Sequence, residues 1–253
     1  MLKVRRLSKS FGGLAALRDV EFAVAPGEIK AVIGPNGAGK TTLFNVVTGL
    51  LKPTAGSIEF AGRAIAGLPP ARIARMGIGR TFQQPQVFRS LTVLENVMLG
   101  AHRGGHGGLV SCGLGMPAAR AGERHLAEAA REQLAFMGLA AGADRIASEL
   151  PLGKQRYVEI ARALATGARL VLLDEPAAGL DETETNELHD LILRIRDIGV
   201  TVLLIEHHMR FVMSLADNVL VLNFGAPLEE GPPQAIRRSR AVIEAYLGAA
   251  VDA

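Results

Sequence analysis

The sequence predicts an α/β fold in which a mainly parallel sheet is covered on both faces and a mostly helical lobe is inserted between two parts of that sheet. Three observations carry this expectation. The short apolar runs Ile29–Ile33, Leu170–Leu173 and Val200–Ile205 do not alternate with polar residues, the pattern of strands buried on both faces. Amphipathic helical stretches lie among them. The segment Gly34-Pro35-Asn36-Gly37-Ala38-Gly39-Lys40-Thr41-Thr42 fits the phosphate-binding loop pattern G-x-x-x-x-G-K-[ST] at every fixed position, between a strand and a helix.

The elements follow in order. Residues 1–33 alternate β-like runs with turns: Leu2–Leu7, Val20–Val24 ahead of Pro26-Gly27, then Ile29–Ile33. After the loop, Thr42–Leu50 reads as a helix, and Ser57–Phe60 as a strand entering a turn at Ala61-Gly62. Gly104–Gly115 is a glycine-rich connection. Arg124–Met137 is an amphipathic helix with Leu126, Ala130, Leu134 and Met137 on one stripe, Glu128, Arg131 and Glu132 on the other side, and Gly138 as a C-terminal cap. That stripe reads as core. From Gln155 the α/β rhythm resumes with a helix to about Ala165, the strand Leu170–Leu173 and a helix Glu182–Ile198 that buries Leu188, Leu191, Ile192 and Ile195. The strands Val200–Ile205 and Asn218–Asn223 follow. No internal repeat is visible, so the chain carries one such unit.

Composition narrows the function classes. A chain of 253 residues that is 49% hydrophobic can bury a large core. Lys and Arg number 28 against 25 Asp and Glu, too balanced to argue for nucleic acid. Lys3, Arg5, Arg6 and Lys9 read as a solvated basic surface. The one cysteine, Cys112, excludes an intrachain disulfide and reads as an inert thiol in a reduced cytosolic setting. No zinc spacing is present. No apolar run is long enough to cross a bilayer, and the basic start lacks the apolar segment of a secretory signal.

Two motifs point to nucleotide chemistry. In the loop, glycines let backbone N–H groups turn inward around an anion, and the following helix start adds unpaired N–H groups and partial positive charge. Lys40 is placed to reach the β- and γ-phosphates, and the Thr41 hydroxyl to ligate Mg²⁺. A glycine-rich turn that carries Lys-Thr by chance is the competing reading, and the flanking strand and helix weigh against it. Further on, Arg169-Leu-Val-Leu-Leu-Asp-Glu-Pro176 ends an apolar strand in two acids, at the strand end where ligands bind in such sheets. Asp174 there is the candidate for Mg²⁺, and Glu175 for orienting and deprotonating the attacking water. A solvated acidic turn is the bland alternative.

Together these features resemble the ATP-binding subunits of ABC transporters over nearly the whole chain. Gln83 in Arg-Thr-Phe-Gln matches that family's Q-loop, Asp181 in Ala-Gly-Leu-Asp its D-loop and His207 in Leu-Ile-Glu-His its switch histidine. Leu150-Pro151-Leu152-Gly153-Lys154-Gln155 sits at the L-S-G-G-Q signature, and Phe11 at the aromatic that stacks on adenine. His208, adjacent to the switch position, does not match and is expected to face solvent.

The resemblance implies a P-loop NTPase cassette with an N-terminal antiparallel β portion. Its RecA-like ATP-binding core would span 1–88 and 155–225, with a helical subdomain at 89–154 and a C-terminal extension at 226–253. It implies ATP and Mg²⁺ as cofactors, with Thr41, Gln83 and Asp174 toward the metal. Glu175, His207 and Gln83 would be the catalytic groups. Two cassettes, identical or paralogous, would meet head to tail, so that the signature segment of one closes over ATP held by the other. Here the signature serine is replaced by Pro151, which has neither a hydroxyl nor an amide hydrogen. Lys154 either adds a point charge there or faces water.

The segment Val87–Asn96 resembles the stretch that receives a coupling helix of the membrane subunit, with Phe88, Leu91 and Val93 as its apolar residues; packing inside the lobe is the alternative for each. Asp-Glu-Pro-Ala-Ala-Gly-Leu, Ile-Glu-His-His-Met-Arg, the 104–120 connection and Ala245-Tyr-Leu-Gly are similar to branched-chain amino acid importers. Urea and short-amide importers share much of this. The implied partners are permease subunits, a second cassette and, indirectly, a solute-binding protein, at the cytoplasmic face of the cell membrane, with no nucleic acid. A soluble cassette ATPase that acts on nucleic acid or ribosomes and a small-molecule P-loop kinase are the competing classes. The first usually needs a second cassette or a coiled-coil insertion; the second has no place for Gln83, Asp181 and His207.

Overall fold

The computed structural model describes residues 1–101 and 117–251. The glycine-rich Gly104–Gly115 connection and Cys112 lie outside the described residues. The chain divides into two compact units, Met1–Ile78 with Arg169–Ala253 and, separately, Gly79–Ala168.

The first unit opens on β1 (Leu2–Phe11) and β2 (Leu14–Val24), paired antiparallel, with β4 (Ala55–Phe60) antiparallel on the other edge of β1 and β5 (Arg63–Ala64) beyond it. Leu2, Val4 and Leu7 are buried while Lys3, Arg5 and Arg6 face water. Strict alternation would send Leu7 outward. A register shift between Val4 and Leu7, with Arg6 at φ 43°, returns it to the core. The basic cluster is thereby the solvated face of one strand.

A second sheet carries the strand ends at which the sequence places the candidate site. Four of its strands run parallel in the spatial order β9 (Asn218–Asn223), β3 (Ile29–Ile33), β8 (Thr201–Ile205) and β7 (Leu170–Asp174), with β10 (Ala226–Gly231) antiparallel beside β9 and the short β6 (Ile78–Arg80) at the far edge. Every residue of β3, β7 and β8 is buried, as their mainly apolar sequences require, and Lys30 within β3 is buried against Glu28 and Glu230. Phe44, Phe60, Leu43, Leu203 and Leu220 share one hydrophobic cluster. Helix α1 (Lys40–Val47) starts earlier than the sequence pattern suggests, because left-handed Gly39 is already its N-cap. It also stops earlier: the Thr48 hydroxyl bonds back to Phe44 O at 2.7 Å and Gly49 turns at φ 77°. Strand β10 has half-exposed and exposed residues and no apolar run, so it gave no sequence signal.

The second unit is helical. Helix α3 (Val93–Ala101) follows α2 (Pro70–Arg75 of the first unit), and α4 (Pro117–Phe136) and α5 (Leu152–Ala165) are its other helices among the described residues. Ala130, Leu134 and Met137 are buried, and Gly138 takes φ 71° just past the helix. The start of α5 is at Leu152 rather than Gln155, since Pro151 is its N-cap in an extended conformation. Val93 is fully buried, which favours packing inside the lobe, the alternative left open for it; Phe88 is 52% exposed. After β7 come α6 (Glu182–Asp197), α7 (Met209–Leu215), α8 (Pro233–Arg238) and α9 (Arg240–Val251), all in the first unit. Leu188, Leu191, Ile192 and Ile195 of α6 are buried.

Candidate functional site

The loop between β3 and α1 is shaped by residues without a Cβ. Gly34 has φ 149°, and a side chain there would come within 2.1 Å of Leu222 O. Gly39 has φ 98°, and its Cβ would meet Ala16 O at 2.5 Å. Both positions therefore demand glycine. Pro35 is half-buried, Asn36 and Gly37 are exposed at the tip, and buried Ala38 anchors the loop by accepting Gly225 N–H at 3.1 Å. The amides of α1's first turn, Lys40, Thr41 and Thr42, have no partner from a preceding turn within the helix.

Lys40 folds back over this loop. Its Nζ donates to Gly34 O at 2.6 Å and to Pro35 O at 2.9 Å. Burial pulls its ammonium below the usual lysine range, and the carboxylates of Glu175 and then Asp174 act in the opposite direction. Lys40, Glu175 and Asp174 thus share one electrostatic neighbourhood.

The two acids stand where β7 ends. Asp174 is buried, pairing with Ile205 across β8. Glu175 N–H donates to Ile205 O at 2.9 Å, and Glu175 itself adopts φ 46°. A left-handed conformation at a non-glycine residue costs of order 1 kcal/mol and marks a position held by its surroundings. It turns the chain so that Glu175 leaves the buried strand half-exposed. His207 Nδ1 lies 3.6 Å from Glu175 Oε2.

Glu206 is the residue that sequence reasoning missed. It is fully buried, and its carboxylate accepts Ala177 N–H at 2.7 Å, His207 N–H at 3.0 Å and His208 N–H at 3.2 Å. One side chain so ties the segment after Glu175 to the segment carrying His207. A glutamate before a histidine carries no motif signal. The only hint was its position directly after a buried strand. His208 is exposed, as expected.

The remaining candidates sit less centrally. Phe11, at the end of β1, is 45% exposed, and Lys9 Nζ stands 4.9 Å from its ring centroid. Asp181 caps α6: its side chain accepts Glu184 N–H at 2.8 Å, and Glu184 answers at Asp181 N–H at 3.2 Å. Gln83 and the signature segment belong to the second unit. Gln83 is exposed in a stretch without regular structure. Leu150 is half-buried, Pro151 and Leu152 are exposed and Gly153 is buried. Lys154 Nζ lies 4.8 Å from the Tyr157 ring centroid, a cation–π contact, so its charge has a partner on its own helix.

Among the described residues, no three or more His, Cys, Asp or Glu converge to cage a metal. Mg²⁺ bound through nucleotide phosphates needs no such cage; one or two oxygen ligands from the protein suffice. The exposed Thr41 hydroxyl and the Asp174 carboxylate are oxygen donors of that kind.

A profile of the ABC transporter family matches residues 17–178, and one described as "Branched-chain amino acid ATP-binding cassette transporter" matches residues 227–252. The chain is 46% identical over 251 residues to the high-affinity branched-chain amino acid transport ATP-binding protein LivG of Salmonella typhimurium, covering 99% of this chain and 98% of the relative. Among solved structures, it is similar to an ATP-binding cassette of an ABC transporter in its ADP conformation, with TM-score 0.86, 33% identity and 98% of each chain covered. It is also similar to a dimeric cassette in a post-hydrolysis state bound to ADP and Pi, with TM-score 0.77, 26% identity, and 92% of this chain and 99% of the other covered.

Proposed function

The chain belongs to the ABC transporter family of ATP-binding cassettes, and from that premise we propose that it is the ATP-hydrolysing subunit of an importer for branched-chain amino acids. The single observation that carries the hydrolytic reading is the shared neighbourhood of Lys40, Asp174, Glu175 and His207 at the ends of β3, β7 and β8. The solute class is supported by the 46% identity to LivG and by the match of residues 227–252.

In this reading Gly34–Thr42 receives the triphosphate. Its inward N–H groups and Lys40 neutralise phosphate charge, most of what catalysis of phosphoryl transfer asks of a protein. Lys40 exchanges its two carbonyl partners for phosphate oxygens. Thr41, Asp174 and Gln83 would hold Mg²⁺, which would supply positive charge to neutralise the phosphates. Glu175 takes the proton of the attacking water, and His207 donates to the γ-phosphate. Phe11 offers its ring to adenine once Lys9 gives up that face.

A second cassette, identical or paralogous, closes the site with its Leu150–Lys154 segment and Asp181. The start of α5 presents the amides of Leu152 and Gly153 for that role. Met1–Ile78 with Arg169–Ala253 would act as the ATP-binding core and Gly79–Ala168 as the helical subdomain, so that the expected bounds of 1–88, 89–154 and 155–225 move to those of the two compact units, with 226–253 as a C-terminal extension. Among the described residues, no helix is long and apolar enough to cross a membrane. The cassette works at the cytoplasmic face of the cell membrane, docked on permease subunits through the Phe88 surface and fed indirectly by a solute-binding protein.

The experiment is reconstitution with the permease subunits of a branched-chain amino acid importer and measurement of ATP-driven leucine uptake into vesicles. Uptake that requires ATP and is abolished by Glu175→Gln is expected. Coupled uptake of urea or a short amide, with none of leucine, would overturn the solute class alone.

A further inference from the structure

Residues 81–91, which carry Gln83 and Phe88, form no strand or helix. Their backbone polar groups must be met by side chains or water. Helix α5 supplies three, at i, i+3 and i+6 on one face. Glu159 Oε1 accepts Phe82 N–H at 3.2 Å and Gln86 N–H at 3.4 Å. Arg156 donates to Gln83 O at 3.3 Å. Arg162 donates to Gln86 O at 2.6 Å and lies 5.4 Å from the Phe88 ring centroid. Glu159 is 1% exposed, and Arg162 stands 3.9 Å from its Oε1. From the other side, fully buried Asn96 on α3 accepts Phe88 N–H at 2.8 Å and donates to Phe88 O at 3.2 Å.

We propose that Arg156, Glu159 and Arg162 form a clamp that makes the Gln83–Phe88 segment and the signature helix one mechanical body, with Glu159 as its central positioning residue. The proposal rests on the hydrolytic roles given above to Gln83 and to the N-terminus of α5. One helix then holds the amides offered to a partner's phosphate at its start and the backbone of the glutamine and the Phe88 surface along its side. A push on Phe88 from a membrane subunit is delivered to both without a hinge between them. Burial of a carboxylate between two guanidinium groups is costly in itself, which argues for a role beyond packing: an aliphatic side chain fills the same space but accepts neither amide.

The test compares Glu159→Ala and Glu159→Gln in the full chain. Glutamine keeps an acceptor oxygen for both amides; alanine keeps none. Amide hydrogen exchange is expected to quicken about tenfold or more at Phe82 and Gln86 in Glu159→Ala and to return toward wild type in Glu159→Gln. Turnover is expected to fall about tenfold in the alanine variant with ATP affinity unchanged, and to recover in the glutamine variant. Unchanged exchange at Phe82 and Gln86 in Glu159→Ala would overturn the clamp. Quickened exchange with normal turnover would overturn its catalytic bearing, and an equal loss in both variants would overturn the acceptor argument. If wild type hydrolyses no ATP, the functional reading fails while the exchange result still judges the clamp.

Discussion

His207 Nδ1 stands 3.6 Å from Glu175 Oε2, and neither residue reached that position through its own side chain. Glu175 is held by its left-handed backbone and its N–H bond to Ile205 O. His207 is held by the N–H it donates to buried Glu206. The pair is a product of two strand ends, brought together by backbone that each end fixes separately.

Replacing Glu175 by Gln removes the proton acceptor but keeps the shape. Turnover should fall by about 10²–10⁴, the usual worth of a general base. ATP binding should persist, because Lys40 and the loop amides are untouched. Steady-state hydrolysis set beside nucleotide binding decides this, and near-normal turnover would refute the assignment.

Lys40→Ala should do the reverse. A buried cation that now donates to two carbonyls would be lost from the phosphate cradle. Charge-assisted contacts are worth about 1.5–3 kcal/mol, so ATP affinity should drop roughly ten- to a hundredfold. Calorimetric titration measures it; unchanged affinity would count against the cradle.

Glu206→Ala should destabilise the fold rather than only slow it. Three N–H groups, of Ala177, His207 and His208, lose their acceptor. Each unsatisfied buried donor costs about 1–3 kcal/mol, though water can reach exposed His207 and His208, so a loss of roughly 2–4 kcal/mol in denaturant unfolding is expected. Turnover should fall too, since the same acceptor sets the backbone beside Glu175. Stability within about 0.5 kcal/mol of wild type would show that the bonds carry nothing.

How much of this was legible in the sequence follows from what each feature needs. The loop and the Asp174-Glu175 pair are visible because glycine and acid positions are fixed by spacing along one strand and turn. The buried strands are visible because both faces are covered, so their sequences are mainly apolar without alternation. Strand β10 is not, since its residues are half-exposed and the pairing with β9 comes from the turn at Phe224 and Gly225, at φ 45° and 80°. Glu206 and Glu159 escape for another reason. Both act on backbone amides of distant segments, and an amide has no letter in the sequence. Val93 stayed open between two places because an apolar residue reads alike in a groove and in a core.

Glu159 also predicts a pH dependence. Burial pushes its carboxyl up to about 7, against the opposing pull of Arg162, the Phe82 and Gln86 amides and Arg156. Its folded value is raised, so its contribution to stability is fully present below the unfolded value near 4.5 and is lost as pH rises through about 7. Relative to Glu159→Gln, wild type should therefore lose stability from pH 4.5 to 7.5, on the order of 3 kcal/mol. Urea unfolding of both across that range checks it. Parallel curves would mean that the two arginines hold the carboxylate charged throughout.

Pro151→Ser tests the departure in the signature. Pro151 is the N-cap of α5 at φ −52° and ψ 151°, and no side chain caps that helix end. Serine would restore a hydroxyl there, worth about 0.5–2 kcal/mol if it caps its own helix. Losing proline frees the unfolded chain and costs about 0.4–1 kcal/mol. The two nearly offset, so monomer stability should change little. A hydroxyl that instead reaches the partner's phosphate should tighten ATP-dependent dimerisation. Sedimentation with ATP, in the Glu175→Gln background where nucleotide is not consumed, separates the two. A higher dimer fraction at unchanged monomer stability is expected; a more stable monomer with no gain in dimer would show the hydroxyl spent on its own helix, and would end the idea that Pro151 weakens the trans contact.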